Sequence, residues 1–518
     1  MRFNASEYLL DRWVLDGHGD RIALRERGAS VTYSQLLDRV SAAAAGLRSL
    51  GVRPEERVLL VLFDSIEFAV TFLAAMRLGA IPLPLNPLLP ARDLGLAASD
   101  SRARVAVFSA QRADALADLA SGAPELADVV IVGEGDDQPP STIRMHGWEE
   151  TMSAGTHPRA FASWEDSPGF WMCTSGTTGR PKLAMHRHVD VRVTAEGYAR
   201  EVLELRADDR CFSVAPLFHA YGLGNSLTFP LAAGASAVLE PTRPPRPSSV
   251  ADVARFEKPT LFFSVPTFYA SLLAADLPAD AFASVRLAVS AGEPLPAELY
   301  NRFLERFGVE ILDGIGSTEL THIYISNRPD HVRPGTSGTP VRGYRIRLED
   351  DRGDVPPDTA GRLSVAGASL ATGYWCNTDE TRERFRGEWF QTGDMYSRSA
   401  DGFYTYLGRA DDMLRVAGEW VSPAEVEAVL IEHPDVLEAA VVGLTIEGLT
   451  RPVAFVVAAP DRLVDHLEVL EFCRERLAGY KRPRRVFVVN ELPKTVTGKI
   501  QRAKVRELAA ERQLIATS

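Results

Sequence analysis

With 518 residues, 46% of them apolar and 24% charged, the chain exceeds what one hydrophobic core usually serves and has the make-up of a globular protein of two or more domains. A net charge of −12 argues against nucleic acid or an anionic membrane as the main partner, although Arg482, Arg484 and Arg485 make a local basic patch that suits an anionic ligand. Four cysteines, at 173, 211, 376 and 473, show no CxxC or metal-ligand spacing, and no window reaches the roughly 18 uninterrupted apolar residues of a membrane span, so a soluble cytoplasmic protein with thiols used as small core residues is expected.

Leucines and alanines recur at helical spacing over 35–50, with Gly51 as the stop, and 58–63 is a short apolar run with strand character. A second helix is expected over 65–78, ending at Gly79, and a strand over 80–85. This β-α-β rhythm returns over 105–132 and 262–312 and predicts a mostly parallel sheet covered by helices, while the proline-rich piece 241–247 reads as a surface connection. Near residue 410 the character changes. Gly408, Arg409, Ala410, Asp411 and Asp412 form a polar stretch, after which Ser422, Pro423 and Glu425 give an N-cap, first-turn proline and capping-box signal. Strands over 439–442, 453–457 and 486–489 and a helix over 464–477 then predict a small α+β domain of about a hundred residues.

The stretch Thr174, Ser175, Gly176, Thr177, Thr178, Gly179, Arg180, Pro181, Lys182 has a composition that suits a polyphosphate: glycines admit close approach, hydroxyls and free N–H groups donate, and Lys182 adds charge. Lysine is scarce here, with six among 57 basic residues (182, 258, 481, 494, 499 and 504), and a compact ammonium enters narrow sites where an arginine fork does not. The stretch departs from the Walker pattern, since no lysine follows its second glycine directly, and a Ser/Gly-rich surface turn is its alternative meaning. Asp313, Gly314, Ile315, Gly316, Ser317, Thr318, Glu319 again joins small residues to hydroxyls and ends in a carboxylate able to hold Mg²⁺ against phosphates, or else in an acid in the first turn of a helix. Thr392, Gly393, Asp394 and then Gly408, Arg409 offer a carboxylate and an arginine for ribose hydroxyls, though each is also ordinary turn composition. Pro493 to Ile500 places Lys499 on a Gly-containing turn of the small domain.

In this order and over nearly the whole chain, residues 174–182, 316–319, 392–394 and 493–499 resemble the motifs of the adenylate-forming superfamily of acyl-CoA synthetases, adenylation domains and luciferases. The resemblance implies a large α/β N-terminal domain over 1–409, mostly parallel sheets covered by helices with a β-rich subdomain. A hinge at 410–412 would join it to a small mobile α+β C-terminal domain over 413–518. It implies a nucleotide site of Thr174, Ser175, Gly176, Thr177, Thr178, Gly179, Lys182, Ala291, Gly292, Glu293, Asp313, Gly314, Ile315, Gly316, Ser317, Thr318, Asp394 and Arg409. Glu319 would be the magnesium ligand, Lys499 the catalytic lysine, Asp411 the hinge and Gly418 part of a coenzyme A channel, while Arg415 stands where many relatives have lysine.

Residues 216–225 and 317–327 resemble the benzoate-CoA ligase and anthranilate-CoA ligase branch, where they line an acid pocket. His219, Ala220, Tyr221, Gly222, Gly314, Ile315, Gly316, His322 and Ile323 would form a flat slot for one ring, with His219 as a catalytic gate beside the carboxylate. His322 is either a hydrogen-bonded core histidine or a partner for an ortho substituent such as an amino group. The implied partners are an aromatic carboxylic acid, ATP with Mg²⁺, and coenzyme A, with no nucleic acid and no membrane; the oligomeric state is left open, a homodimer included. The rivals are loading of a carrier-protein thiol, oxidation of the adenylate as in luciferases, and a catalytically silent nucleotide-binding regulator.

Overall fold

Thr32 starts the first long helix, Tyr33–Ser49, through a full capping box: its hydroxyl accepts from the Gln35 N–H while the Gln35 side chain accepts from the Thr32 N–H. In the computed structural model, which describes residues 1–134, 143–153, 158–174, 181–416, 419–446, 449–494 and 500–517, the helix packs Leu36, Val40, Ala43 and Leu47 into the main core. The next helix, Ile66–Arg77, is capped by Ser65 and buried along almost its whole length, as its run of Phe, Ala, Val and Leu requires.

Between and after these helices lies a five-stranded, all-parallel sheet in the order Ile81–Pro84, Arg57–Val61, Val105–Ser109, Asp128–Val132, Arg144–Gly147. Its central strands are near-continuous Val, Leu and Ile because helices or other elements cover both faces. A second sheet of nine strands has a parallel centre in the order Ile311–Gly316, Leu287–Ser290, Leu261–Ser264, Arg210–Ser213, Ser236–Leu239, Ile22–Glu26, with antiparallel strands at both edges. The expected mostly parallel, helix-covered body is therefore present as two sheets. The β-rich part is a third, antiparallel sheet that includes Tyr344–Asp350, Gly361–Gly367, Trp389–Arg398 and Tyr404–Arg409.

A separate antiparallel hairpin, Pro168–Thr174 with Lys182–Arg187, closes at the register pair Thr174↔Lys182. Trp171 and Leu183 anchor it in the core of the five-stranded sheet. Residues 372–375 run along its outer strand, with the Met185 N–H donating to Gly373 O at 3.0 Å, Thr372 N–H to Met185 O at 2.9 Å and Trp375 N–H to Leu183 O at 2.9 Å.

The small unit holds a long hairpin, Val436–Ile446 with Leu449–Ala458, and Arg485–Val489 parallel to its second strand. The strands expected over 439–442 and 453–457 are only the buried centre of that hairpin. The final helix, Arg502–Thr517, is not foreseen by the sequence reading; it seats Val505 and Ala509 against the hairpin. The predicted capping box at Ser422 forms by half. Ser422 Oγ accepts from the Glu425 N–H at 3.0 Å, but the Glu425 carboxylate turns to Lys481 Nζ at 2.6 and 2.8 Å, because an ammonium within reach binds a carboxylate more strongly than a neutral N–H does. All four cysteines are free, and no helix among the described residues is long and apolar enough to cross a membrane.

Candidate active site

Parallel strands leave a crevice beyond their carboxyl ends, and the predicted adenine-side residues sit there. Ser264, Ser290 and Asp313 are register neighbours at the ends of three adjacent strands, with residues 291–293 following the middle one. The return strand Ile323–Ser326 presses directly onto residues 314–316: a Cβ on Gly314 would lie 2.9 Å from the Ile323 side chain, and one on Gly316 would lie 2.6 Å from His322 O. Both glycines are thus required by close backbone approach. Asp313 is buried, and that burial raises its pKa well above the usual carboxylate value despite backbone hydrogen bonds at Leu295 and Gly314 that work the other way.

After Ser317 the chain makes a single 3₁₀ turn, Thr318–Leu320, so Glu319 does lie in the first turn of a short helix. Glu319 is buried, and the Tyr374 hydroxyl donates to its Oε1 at 2.6 Å. Among the described residues its second oxygen has no hydrogen bond, and no three His, Cys, Asp or Glu side chains cluster as a metal site. Magnesium takes few protein ligands and fills the rest with water and phosphate oxygens, so the donor set fits an ion that arrives with a nucleotide.

His186 ties this turn to the hairpin. Its Nε2 lies 2.8 Å from Thr318 O, so that nitrogen carries a proton, and its Nδ1 lies 3.0 Å from Asp190 Oδ2 and 3.1 Å from Thr321 Oγ1. Lys182, Ala184 and His186 share one face of their strand by the two-residue alternation, so the strand that carries the lysine also locates the Glu319 turn. Lys182 Nζ is hydrogen-bonded to Glu380 and lies 5.5 Å from the centroid of the Tyr374 ring.

Thr392, Gly393 and Asp394 lie inside the strand Trp389–Arg398, where a turn is the expected alternative. Asp394 faces Arg409 across the antiparallel pair, and Arg409 Nη1 donates to Asp394 Oδ1 at 2.9 Å and to Thr392 O at 3.1 Å. The arginine therefore holds the carboxylate. A Cβ on Gly393, whose φ is +79°, would lie 2.8 Å from Arg409 Nη2 and 2.9 Å from Arg384 Nη1.

Next to the strand Ile311–Gly316 lie the residues expected to line the acid slot. His219 precedes the short helix Ala220–Leu223, its ring 4.7 Å from that of Phe218. The Tyr221 hydroxyl reaches Val289 O at 3.1 Å and Ser264 O at 3.3 Å, and a Cβ on Gly222 would lie 2.1 Å from Pro216 O. His322 is buried among Phe229, Tyr198 and Tyr221, with ring centroids 4.5, 5.2 and 5.4 Å away. Its Nε2 pairs with Asn225 Oδ1 at 3.1 Å, and burial pushes its pKa down to about 3, so the ring is neutral at physiological pH. Among the described residues, His322 Nδ1 and Asn225 Nδ2 are buried without a hydrogen-bond partner.

Ser175, Gly176, Thr177, Thr178, Gly179, Gly418 and Lys499, and the side chain of Arg415, lie outside the described residues. Asp411 is exposed; its neighbour Asp412 is the one held by the small domain, by Arg506 at 2.9 Å and Arg502 at 3.7 Å. Sequence reasoning missed Tyr374, Glu380, His186 and the role of Asn225. Only Asn225 had a signal, as a polar residue ending an otherwise apolar segment; Glu380 reads as an ordinary acid in the first turn of the helix Thr378–Arg384.

Two parallel-sheet layers with a β-rich part, a hairpin closing at Thr174 and Lys182, a carboxylate turn and an aspartate–arginine pair define the architecture of an adenylate-forming enzyme. The family description "AMP-binding enzyme" matches residues 10–375, and "AMP-binding enzyme C-terminal domain" matches residues 425–499. The chain belongs to this family of AMP-binding enzymes. It is 44% identical over 513 residues to a benzoate–CoA ligase of Thauera aromatica, covering 98% of this chain and 96% of that one. A crystal structure of the anthranilate CoA ligase AuaEII in complex with anthranoyl-AMP superimposes with a TM-score of 0.93 at 39% identity, covering 100% of this chain and 98% of that one. A benzoate CoA ligase from Burkholderia xenovorans LB400 gives 0.89 at 40% identity, covering 97% and 100%.

Proposed function

We propose that the protein is an AMP-forming aryl-CoA ligase acting on benzoate or a substituted benzoate such as anthranilate. What supports this reading is that Tyr374 joins Lys182 to Glu319 and that Arg384 and Arg409 flank Gly393 beside Asp394, with the buried His322–Asn225 pair next to the strand Ile311–Gly316. Lys182 and the loop before it bind the β- and γ-phosphates, Asp394 takes the ribose hydroxyls, and residues 291–293 and 313–316 flank the adenine. Glu319 is the protein oxygen that would hold Mg²⁺, which supplies charge neutralisation on the phosphates when bound.

The aryl carboxylate and the α-phosphate are both anions, so attack needs positive charge where they meet and a fixed approach. Lys499 supplies that charge; the acid oxygen attacks the α-phosphorus, and pyrophosphate leaves. The division into residues 1–409, 410–412 and 413–518 then allows the small domain to turn about Asp411, withdrawing Lys499 and presenting the channel at Gly418 to coenzyme A. The thiol attacks the mixed anhydride and AMP departs. The flat aromatic slot admits one ring and leaves no path for a fatty chain.

Pyrophosphate release over benzoate, anthranilate, hydroxybenzoates, cinnamates and short fatty acids, with mass detection of CoA products, tests substrate and acceptor together. Aroyl-CoA from a one-ring acid is expected. Adenylate without turnover on free coenzyme A would point to a carrier thiol, and preference for fatty acids would refute the slot. Unchanged selectivity on ortho-substituted benzoates in His322→Ala would remove that side chain from ring recognition.

A further inference from the structure

The polar contacts around Lys182 extend away from the hairpin. Residues 372–375 lie along the lysine's own strand, and from there the chain turns at Asn377 into the helix Thr378–Arg384. Thr381 closes that turn: its Oγ1 accepts from the Tyr374 N–H at 3.0 Å and donates to Asn377 O at 2.8 Å. Tyr374 and Glu380 are thereby set on either side of one compact turn, the tyrosine hydroxyl on Glu319 and the Glu380 carboxylate on Lys182. Glu380 also accepts from Arg384 Nε at 3.3 Å. Burial works against its charge, but Lys182 and Arg384 outweigh that and hold its carboxyl below the usual range.

The Lys182 side chain is 10% exposed and Glu380 20%, so the pair is largely removed from water. An ammonium has three N–H groups, and among the described residues Lys182 uses one, on Glu380. Burial already costs a long, flexible stem rotamer freedom, and a partner at its head selects which rotamer is kept. The carboxylate does this without consuming the donors a polyphosphate needs, and the Tyr374 ring forms the floor beneath it.

We propose that Glu380 is a positioning residue for the adenylation half-reaction: it fixes the Lys182 ammonium so that its two remaining N–H groups are free for phosphate oxygens of ATP. This rests on the reading of Lys182 as a phosphate contact. Arg384 buttresses the carboxylate from the far side and, with Arg409, flanks Gly393. One short segment thus links the lysine of the hairpin, the Glu319 turn and the ribose pair.

The test uses the full-length enzyme with Glu380→Gln, Glu380→Asp, Lys182→Ala and the Lys182→Ala/Glu380→Gln double variant. MgATP binding is measured by calorimetry without acid substrate, and the two half-reactions are measured separately. Glu380→Gln should weaken MgATP binding about tenfold, equivalent to about 1.4 kcal/mol, with the KM for the aryl acid and thioester formation from supplied aroyl-AMP unchanged. Glu380→Asp, which keeps the charge, should recover part of the loss. In the Lys182→Ala background Glu380→Gln should change binding less than twofold, since the carboxylate acts only through the ammonium. Additive losses, or tighter MgATP binding in Glu380→Gln, would overturn the proposal, the latter by making Glu380 a competitor of phosphate. Unchanged MgATP binding in Lys182→Ala alone would instead overturn the reading of Lys182.

Discussion

Tyr374→Phe isolates one hydrogen bond at the centre of the site. The Tyr374 hydroxyl sits 2.6 Å from Glu319 Oε1, both residues are buried, and burial together with the Glu319 charge pushes the tyrosine pKa up, so the hydroxyl keeps its proton and donates. Phenylalanine fills the same space and leaves a buried carboxylate without its donor. A hydrogen bond to a charged group is worth about 1.5–3 kcal/mol. With an unfolding entropy of about 2.1 cal/mol/K per residue over a large domain of about 400 residues, that loss lowers Tm by about 2–4 °C. With Glu319 holding Mg²⁺ as proposed, saturating MgATP should narrow the gap, because the cation would offset the missing donor. Tyr344→Phe is the control: its hydroxyl meets the Ser369 hydroxyl at 2.7 Å, a neutral pair, so its smaller loss should not respond to MgATP. Scanning fluorimetry with and without nucleotide reads both variants. A Tyr374→Phe protein as stable as the parent, or a gap that MgATP leaves unchanged, would refute the reasoning.

Lys499→Ala should abolish pyrophosphate release yet leave thioester synthesis from supplied aroyl-AMP largely intact; loss of both steps would contradict a lysine that serves only the first. Asp411→Pro should do the converse, since a fixed φ would block the proposed turn of the small domain, and stopped-flow measurement of each half-reaction separates the two. Acid should destabilise the fold through buried imidazoles. Burial lowers the pKa of His188 to about 4 and of His322 to about 3, so below pH 6.5 the unfolded chain binds protons that the native one refuses, and stability is lost progressively as pH falls from 6.5 toward those values. At pH 5 each contributes a loss of about 2 kcal/mol. Urea titrations at pH 7 and pH 5 should therefore show a smaller drop in His188→Gln than in the parent, and equal drops would count against the buried neutral ring.

The β-α-β spacing and capping residues such as Ser65 and Thr32 act within a few positions of themselves, which is why the helices Tyr33–Ser49 and Ile66–Arg77 and the parallel centres of both sheets were legible from the chain alone. The spaced motifs put Glu319, Asp394 and Lys182 forward as candidates on the same ground, because glycine, hydroxyl and charge stand together in one short stretch. What the chain could not announce is what lies across a gap in sequence. Tyr374 meets Glu319 over 55 positions, Glu380 meets Lys182 over 198, and His322 meets Asn225 over 97. The box at Ser422 shows the reverse effect, a local signal overridden when Lys481 arrives from 56 positions away. Local sequence thus determined which polar and charged groups the candidate site has. Tertiary structure decided which of them are held, by which partners and in what state of protonation, because burial and partnership depend on elements that meet only after folding.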